Sequence, residues 1–318
     1  MKMRDQIPTR VGFGKGLKAI AEEDPTVIGL GADITGSVNM NFFAEAFPER
    51  FYSFGIAEQN ITGVAAGLAL EGKIPVMATY GVFSAMRNTD QVRISVCYNN
   101  LHVIIGGAHS GVSVGPDGAT HQALEDIAVM RALPNMTVLS PCDATQTNQA
   151  IKAAVKEING PVYIRFGREA VPDFMTEDFN FEPGKGQLLQ DGEDLTIVAT
   201  GHMVWEALEA AKELESSGIS VRVINLHTIK PIDRNLLIHA AIETGAIVTA
   251  EEHQVMGGMG SAVAEVVAEA APCPMKFVGV KDTFGESGQP EELMEKYRLK
   301  SKHIAQAAHE VLINKAKQ

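Results

Sequence analysis

The stretch Phe51-Tyr52-Ser53-Phe54-Gly55-Ile56-Ala57-Glu58-Gln59-Asn60 decides how this chain is read. Its first half is β-like, and at Glu58 the pattern changes. From there Ile61, Val64, Ala65, Leu68 and Ala69 recur at helical spacing as far as Leu70, giving one apolar face. A strand that passes into a helix through a carboxylate is the joint of a βα unit, and it leaves Glu58 at a sheet's edge, at the start of a packed element. Two effects compete over its charge. Full burial lifts a carboxyl pKa by about 3–5, whereas the positive end of a helix contributes only roughly 0.3–1 kcal/mol toward ionisation. A buried Glu58 is therefore expected to keep its proton near neutral pH, while a solvated one would merely complement the helix terminus.

Outward from this joint, apolar runs alternate with helix-patterned runs almost from end to end. That alternation predicts an α/β fold of two domains with mostly parallel sheets. The first series of strands is expected at Thr26–Gly31, Phe51–Phe54, Ile74–Thr79, His102–Gly106, Thr137–Ser140 and Val162–Arg165. A stretch rich in proline, glycine and acids, from Val171 to Gly186, reads as a linker. A second series follows at Leu195–Thr200, Ser220–Asn225, Ala246–Ala250 and Met275–Val280, with helices Val204–Leu214 and Asn235–Glu243 between strands. The chain thus divides into a domain over 1–172, a linker over 173–190 and a domain over 191–318. In open parallel sheets ligands gather at the carboxyl ends of strands, which selects Asp33, Gly55 to Glu58, Tyr80, His109 and Gly167-Arg168.

With 45% apolar and 21% charged residues among 318, the chain has enough core material for two domains and is not a disordered polyelectrolyte. A formal net charge of −12 repels nucleic acid and anionic lipid, so small metabolites are the expected partners. No apolar run reaches the roughly 18 residues that span a bilayer, and Met1-Lys2-Met3-Arg4-Asp5-Gln6 leads into no apolar signal core; a cytoplasmic protein is expected. Cys97, Cys142 and Cys273 are odd in number and far apart, which indicates neither disulfides nor zinc and suggests small buried apolar residues.

Chemistry concentrates in His109-Ser110-Gly111-Val112-Ser113-Val114-Gly115-Pro116-Asp117-Gly118-Ala119-Thr120-His121-Gln122. Three glycines and a proline impose a definite path, and Thr120 is expected to cap a helix over Gln122–Ala132. Histidines in such a loop can donate to a carbonyl oxygen as it gains charge, with an aspartate between them to bind a hydroxyl; a Pro-Asp-Gly turn beside two surface imidazoles would read the same. Tyr80 and Phe83, three residues apart at a strand end, suit stacking on a flat heterocycle or plain core packing. Gly12-Phe13-Gly14-Lys15-Gly16 precedes a strand and so fails the context of a dinucleotide site. Gly257-Gly258-Met259-Gly260-Ser261 opens the helix Ala262–Ala270 and could receive an anion, although helix entry alone explains it.

Taken together, Gly55-Ile56-Ala57-Glu58-Gln59-Asn60, the pair Tyr80 and Phe83, and Pro116-Asp117-Gly118-Ala119-Thr120-His121-Gln122 resemble the transketolase family of thiamine diphosphate enzymes. The likeness extends through Gly31-Ala32-Asp33-Ile34-Thr35-Gly36-Ser37 and the C-terminal Glu251-Glu252-His253. It covers a pyrimidine-binding domain and a C-terminal domain; the family's diphosphate-binding and Mg²⁺-binding first domain has no match. The resemblance is to the C-terminal subunit of a split transketolase. It implies that Glu58 hydrogen-bonds the aminopyrimidine N1′ and favours the tautomer whose N4′ removes the thiazolium proton. It implies that Tyr80 and Phe83 line the pyrimidine pocket, with Phe83 stacking, and that Asp33 lies near the thiazolium. By the same resemblance His109 and His121 bind sugar oxygens, Asp117 a substrate hydroxyl, and Arg10, Ser37 and Arg168 the sugar phosphate. No metal site is expected in this chain, with Mg²⁺ held mainly by an N-terminal partner subunit, in an α2β2 assembly where each cofactor lies between subunits.

Tyr80 stands where the family commonly has phenylalanine, and the spacing from Phe83 to Asp90 is one residue longer than in full-length members, which leaves Met86 and Arg87 unassigned. Two related enzymes compete: the beta subunit of a 2-oxoacid dehydrogenase, and half of a deoxyxylulose-phosphate synthase. His109 argues against both. A non-catalytic binding module is the third reading, against which Glu58, Asp117, His121 and the arginines argue jointly.

Overall fold

The computed structural model describes residues 5–317, so the tetrapeptide Met1–Arg4 that entered the reading of the N-terminus lies outside the described residues. The first unit runs β1 (Gln6–Pro8), α1 (Thr9–Glu23), β2 (Val27–Gly31), α2 (Asn41–Ala46), β3 (Phe51–Ser53), α3 (Glu58–Leu70), β4 (Ile74–Tyr80), α4 (Gly81–Met86) and α5 (Thr89–Gln91), which continues into a π-helical turn. Then come β5 (Ile104–Ala108), α6 (Asp126–Ala132), β6 (Thr137–Leu139), α7 (Ala144–Lys156), β7 (Val162–Arg165) and β8 (Ala170–Pro172). The second unit has β9 (Gln187–Gln190), β10 (Leu195–Ala199), α8 (Met203–Ser216), β11 (Val221–Asn225), β12 (Thr228–Lys230), α9 (Arg234–Thr244), β13 (Ile247–Gln254), α10 (Met259–Ala270), β14 (Met275–Val280), α11 (Pro290–Lys296) and α12 (Ser301–Lys315).

These elements form two sheets, ordered β12-β6-β7-β5-β4-β2-β3 and β14-β13-β10-β11-β9, plus a two-stranded β1-β8 ribbon. All pairings in the large sheet are parallel except that of β12, and the second sheet is parallel except for β9. The α/β fold expected from the alternation is thus observed. Strands β2, β5, β7 and β10 are buried at every residue, as parallel strands covered on both faces must be, which is why they read as continuous apolar runs. No described helix is long and apolar enough to cross a membrane.

The structure departs from the sequence reading where tertiary contacts decide. The helix expected from Gln122 starts at Asp126, and Thr120 does not cap it: its hydroxyl lies 2.9 Å from His121 Nδ1. Gln122 is drawn away by the loop, its amide donating to Val112 O and Glu286 O. The strand expected at His102 begins at Ile104, because the His102 ring turns to Ala154 O, 2.9 Å away. Within the expected linker, 187–190 form strand β9 on the edge of the second sheet. The chain preceding it is tied down by Asp143, which caps α7 through Gln146 N and accepts from Phe174 N and Met175 N. The edge strand β12 crosses from the second unit to extend the first sheet, a swap that no local pattern signals. Cys97 and Cys142 are buried; Cys273 is only partly so.

The run Gly12 to Gly16 lies inside α1 and serves packing. A Cβ on Gly12 would come 2.0 Å from Ala144 O of α7, so the two helices touch backbone to backbone. Gly63, in α3, is exposed, and a methyl group added there would meet nothing within 4 Å. Gly12→Ala is therefore expected to lower stability by about 1–3 kcal/mol through overpacking, while Gly63→Ala raises it by about 0.5–1 kcal/mol through helix propensity. Urea denaturation of the two variants checks this, and equal effects would contradict the packing account.

Candidate active site

The carboxyl ends of β2, β4, β5 and β7 deliver the candidate side chains to one edge of the large sheet, as strand-end geometry requires. Glu58 opens α3 and is 4% exposed. Its surroundings are not wholly apolar. Arg87 NH1 lies 3.1 Å from Glu58 Oε1, and the same guanidinium sits over the Phe83 ring, 3.6 Å from its centroid. Gln59 fixes this arrangement by donating to Arg87 O at 3.0 Å. Sequence reasoning leaves Arg87 without a role because the local spacing is irregular.

Tyr80 and Phe83 stack at 5.9 Å between centroids, and His121 stands edge-on to both, at 5.6 and 5.3 Å. The Tyr80 ring also lies 4.2 Å from that of His109, and its hydroxyl is 3.0 Å from Ser37 Oγ. Ser37 Oγ is in turn 3.3 Å from His109 Nε2, while Arg10 donates to Ser37 O at 2.8 Å. Arg168, just past β7, pairs with Asp117 at 3.1 Å. Arg10, Ser37, Tyr80, Phe83, His109, His121 and, through Arg87, Glu58 therefore form one connected group, with the Arg168–Asp117 pair beside it. Asp33 stands apart: it is exposed, with φ of 71°, and no described hydrogen bond or ion pair joins it to the others.

Electrostatics follow from this placement. His109 is 1% exposed, and burial, helped by the charges of Arg10, Arg168 and His121, pushes its pKa down to about 3. It is a neutral imidazole whose buried Nδ1 has no hydrogen-bond partner among the described residues, and so is free to serve a ligand. Burial and the neighbouring Arg168 also lower the pKa of Arg10. Two cations near a neutral histidine make a local anion-attracting end on a chain of net −12.

One expected anion site is already filled. The N-terminus of α10 receives the chain's own Glu251, which accepts from Met259 N at 2.6 Å and Gly260 N at 2.8 Å. Its pKa is nonetheless raised to about 7, by burial above all. The groups to which sequence reasoning gave no role lie at the seam between the units: Asp126, Arg165, His202 and Glu252, with Asp126, Arg165 and Glu252 buried. Arg165 Nε pairs with Asp126 Oδ2 at 2.9 Å, and Arg165 NH2 donates to Glu252 O at 2.9 Å. Only the buried-strand context of Arg165, within the apolar run Val162–Phe166, could have signalled them.

A planar, nitrogen-rich group fits between Glu58 and Phe83, since the Arg87 guanidinium lies there now, donating to the carboxylate and stacked on the ring. That is the chemistry an aminopyrimidine presents. Family models match most of the chain: residues 5–173 match the transketolase pyrimidine-binding domain and residues 184–304 the transketolase C-terminal domain. The chain belongs to the transketolase family. It is 43% identical over 291 residues to a 6-deoxy-6-sulfo-D-fructose transketolase subunit of Clostridium sp. (strain MSTE9), covering 92% of this chain and 90% of that protein. It is 39% identical over 307 residues to an apulose-4-phosphate transketolase subunit of Phocaeicola vulgatus, covering 96% of this chain and 98% of that one. Among solved structures, a split-gene transketolase described as an inactive beta4 tetramer superposes with a TM-score of 0.91 at 51% identity, over 97% of this chain and 99% of that one.

The low pKa of His109 has a measurable sign. A histidine held neutral in the fold but titrating near 6.5 when unfolded contributes stability above about pH 6.5, which is lost as pH falls toward 3. The ring ¹⁵N shifts of His109 are expected to stay flat from pH 8 to 5. An inflection near 6.5 in the folded chain would show an accessible imidazole instead.

Proposed function

We propose that this chain is the C-terminal subunit of a split transketolase, moving a two-carbon ketol unit from a ketose phosphate to an aldose phosphate, as in pentose phosphate metabolism. Thiamine diphosphate, when bound, supplies the nucleophilic carbon and the electron sink for that transfer. The chain's own part is to hold the pyrimidine end: Glu58 shares a proton with a ring nitrogen, while Phe83 and Tyr80 flank the ring. The observation that carries the reading is the Glu58–Arg87–Phe83 sandwich standing next to the His109, Ser37, Arg10 and Arg168 group. Arg87 must yield its place as the ring enters.

Asp33 would lie toward the thiazolium, where its open, polar position suits a group that contacts the cofactor only once it is bound. His109 and His121 would donate to the sugar's carbonyl and hydroxyl oxygens, and Asp117 would accept from a hydroxyl. A neutral His109 suits that duty because it can donate through one nitrogen without adding charge. Arg10 and Arg168, with Ser37, would hold the anionic end of the substrate, for which a planar guanidinium is the natural partner. Relatives named for a sulfo sugar and a sugar phosphate support an anionic terminus as the common feature of the substrates. The diphosphate and its Mg²⁺ fall to an N-terminal subunit in an α2β2 assembly, in keeping with a cytoplasmic enzyme of sugar metabolism.

Two outcomes test the reading. The purified chain with thiamine diphosphate and Mg²⁺ is expected to transfer no ketol unit until the diphosphate-binding subunit is added, and in that pair Glu58→Ala slows turnover about 10²–10⁴-fold. Activity of the chain alone, or full turnover by Glu58→Ala, would refute it. Arg168→Ala is expected to raise KM for phosphorylated sugars well above any effect on unphosphorylated ones, as steady-state kinetics on both would read; equal effects would remove the phosphate contact.

A further inference from the structure

The loop bearing His109, Asp117 and His121 belongs to the first unit, yet the second unit holds it in place. Glu252, buried in β13, accepts from Ser113 N through Oε1 at 2.6 Å. The contact is close along its length: Gly111 turns beneath the carboxyl with φ of 90°, and a Cβ there would lie 2.2 Å from the Glu252 carboxyl carbon. Farther along, Gln122 donates to Glu286 O at 2.9 Å, and Leu124 O accepts from Gln254 N at 2.9 Å. The other oxygen of Glu252 is 3.8 Å from His202 Nδ1. The far nitrogen of that ring, Nε2, is 3.4 Å from Thr9 Oγ1, which accepts from Gly167 N at 2.7 Å. Thr9 and Gly167 immediately precede Arg10 and Arg168. A single carboxyl of the C-terminal domain thus braces the histidine loop directly, while His202, 3.4 Å from Thr9, stands beside its other oxygen.

We infer that Glu252 is a positioning residue of the sugar-binding site, fixing the 109–122 loop from the C-terminal domain. The inference rests on the reading that this loop faces the substrate. The polar contacts of Glu252 run to Ser113, His202 and Arg165 and none to α3 or α4, so the pyrimidine end of the cofactor lies outside its reach. Burial raises the pKa of this carboxyl, a rise that the charge of Arg165 opposes; the Arg165 guanidinium itself donates to the Glu252 backbone carbonyl and to Asp126.

The test compares Glu252→Ala with Glu252→Gln, which keeps an acceptor oxygen for Ser113 N–H at nearly the same volume. In the assembled enzyme Glu252→Ala is expected to raise KM for the sugar phosphate about tenfold or more, the loss of one charge-assisted hydrogen bond, while Kd for thiamine diphosphate stays unchanged. Glu252→Gln restores most of the KM. Hydrogen exchange on the full chain reads the loop without any activity: amides 110–122 exchange faster in Glu252→Ala, while those of β10 and α8 do not. If Glu252→Ala does not fold, Glu252→Asp, which withdraws the carboxyl by one methylene, is expected to give the same split. Unchanged KM and unchanged loop exchange would overturn the inference, as would exchange raised uniformly or cofactor affinity lost in step with KM. If the wild-type pair transfers no ketol unit, the functional reading fails, and loop-confined exchange still decides what Glu252 does.

Discussion

The buried pair of Arg165 and Asp126 is the constraint on which the rest of the molecule depends. Both side chains are out of water, and Arg165 distributes its donors to Asp126 on α6, to Ala123 O just before it and to Glu252 O on β13. Asp126 also accepts from Tyr163 at 2.8 Å. Burial opposes the charge of Arg165, but Asp126 and Glu252 outweigh it and its pKa is raised. Such a pair adds little net stability over an apolar substitute, because its desolvation offsets its attraction, but breaking it leaves a lone buried charge at a cost of about 3–5 kcal/mol. Through Arg165 NH2 and the backbone carbonyl of Glu252 it also ties α6 and β7 of the first unit to β13 of the second.

That tie has consequences at the sheet edge. The parallel strands can bring side chains to their carboxyl ends without help, but the long loop after β5 packs its Val112, and Leu124 just beyond, into the apolar core of the second unit. It is bounded on one side by the Tyr80 and Phe83 rings and on the other by Glu252 and the segment around Glu286. The imidazole of His109, at a left-handed backbone position with φ of 53°, packs beside the Tyr80 ring and Ser37, and burial together with the charges of Arg10 and Arg168 keeps it neutral.

How much of this is legible in the sequence depends on the range of the interaction. The strand bounds Val162–Arg165 and Met275–Val280 can be read outright, since a strand in a parallel sheet has a compact apolar signature bounded by turn residues. Glu58, His109, Asp117 and His121 can be singled out because polar groups at strand ends and in a glycine-turned loop are locally odd. The helix start at Gln122 misleads because the Gln122 amide is spent on Glu286 O, 164 residues away in sequence. Strand β9 hides in a linker-like composition, and β12 joins a sheet to which its neighbours in sequence do not belong. Arg87 carries no local signal, since its meaning comes from Glu58, 29 residues earlier. Periodicity sees one element at a time, and each of these facts belongs to a pair.

The seam also explains why the two units of this chain hold together. Glu251, Glu252 and His253 are consecutive along β13, a strand in which alternate side chains point to opposite faces. Glu251 and His253 should therefore share a face and Glu252 the other; Glu251 Oε2 does lie 3.8 Å from His253 Nδ1, while Glu252 turns to Ser113. His253 Nε2 reaches back to Asp126 Oδ1 at 3.9 Å, and Lys230, at the end of β12, donates to the carbonyls of Arg131 and Leu133 at the close of α6. Helix α6 is thus gripped at both ends by the second unit. Separating the two domains would expose the Asp126–Arg165 pair and strip the Glu252 carboxyl of its bond from Ser113 N. On the far side of Glu58 the side chain met first is a guanidinium that is already 43% exposed. The physical cost of division is low where the pyrimidine end of the site opens and high where the two domains meet, so a cofactor site shared between subunits would be divided at the first place and not at the second.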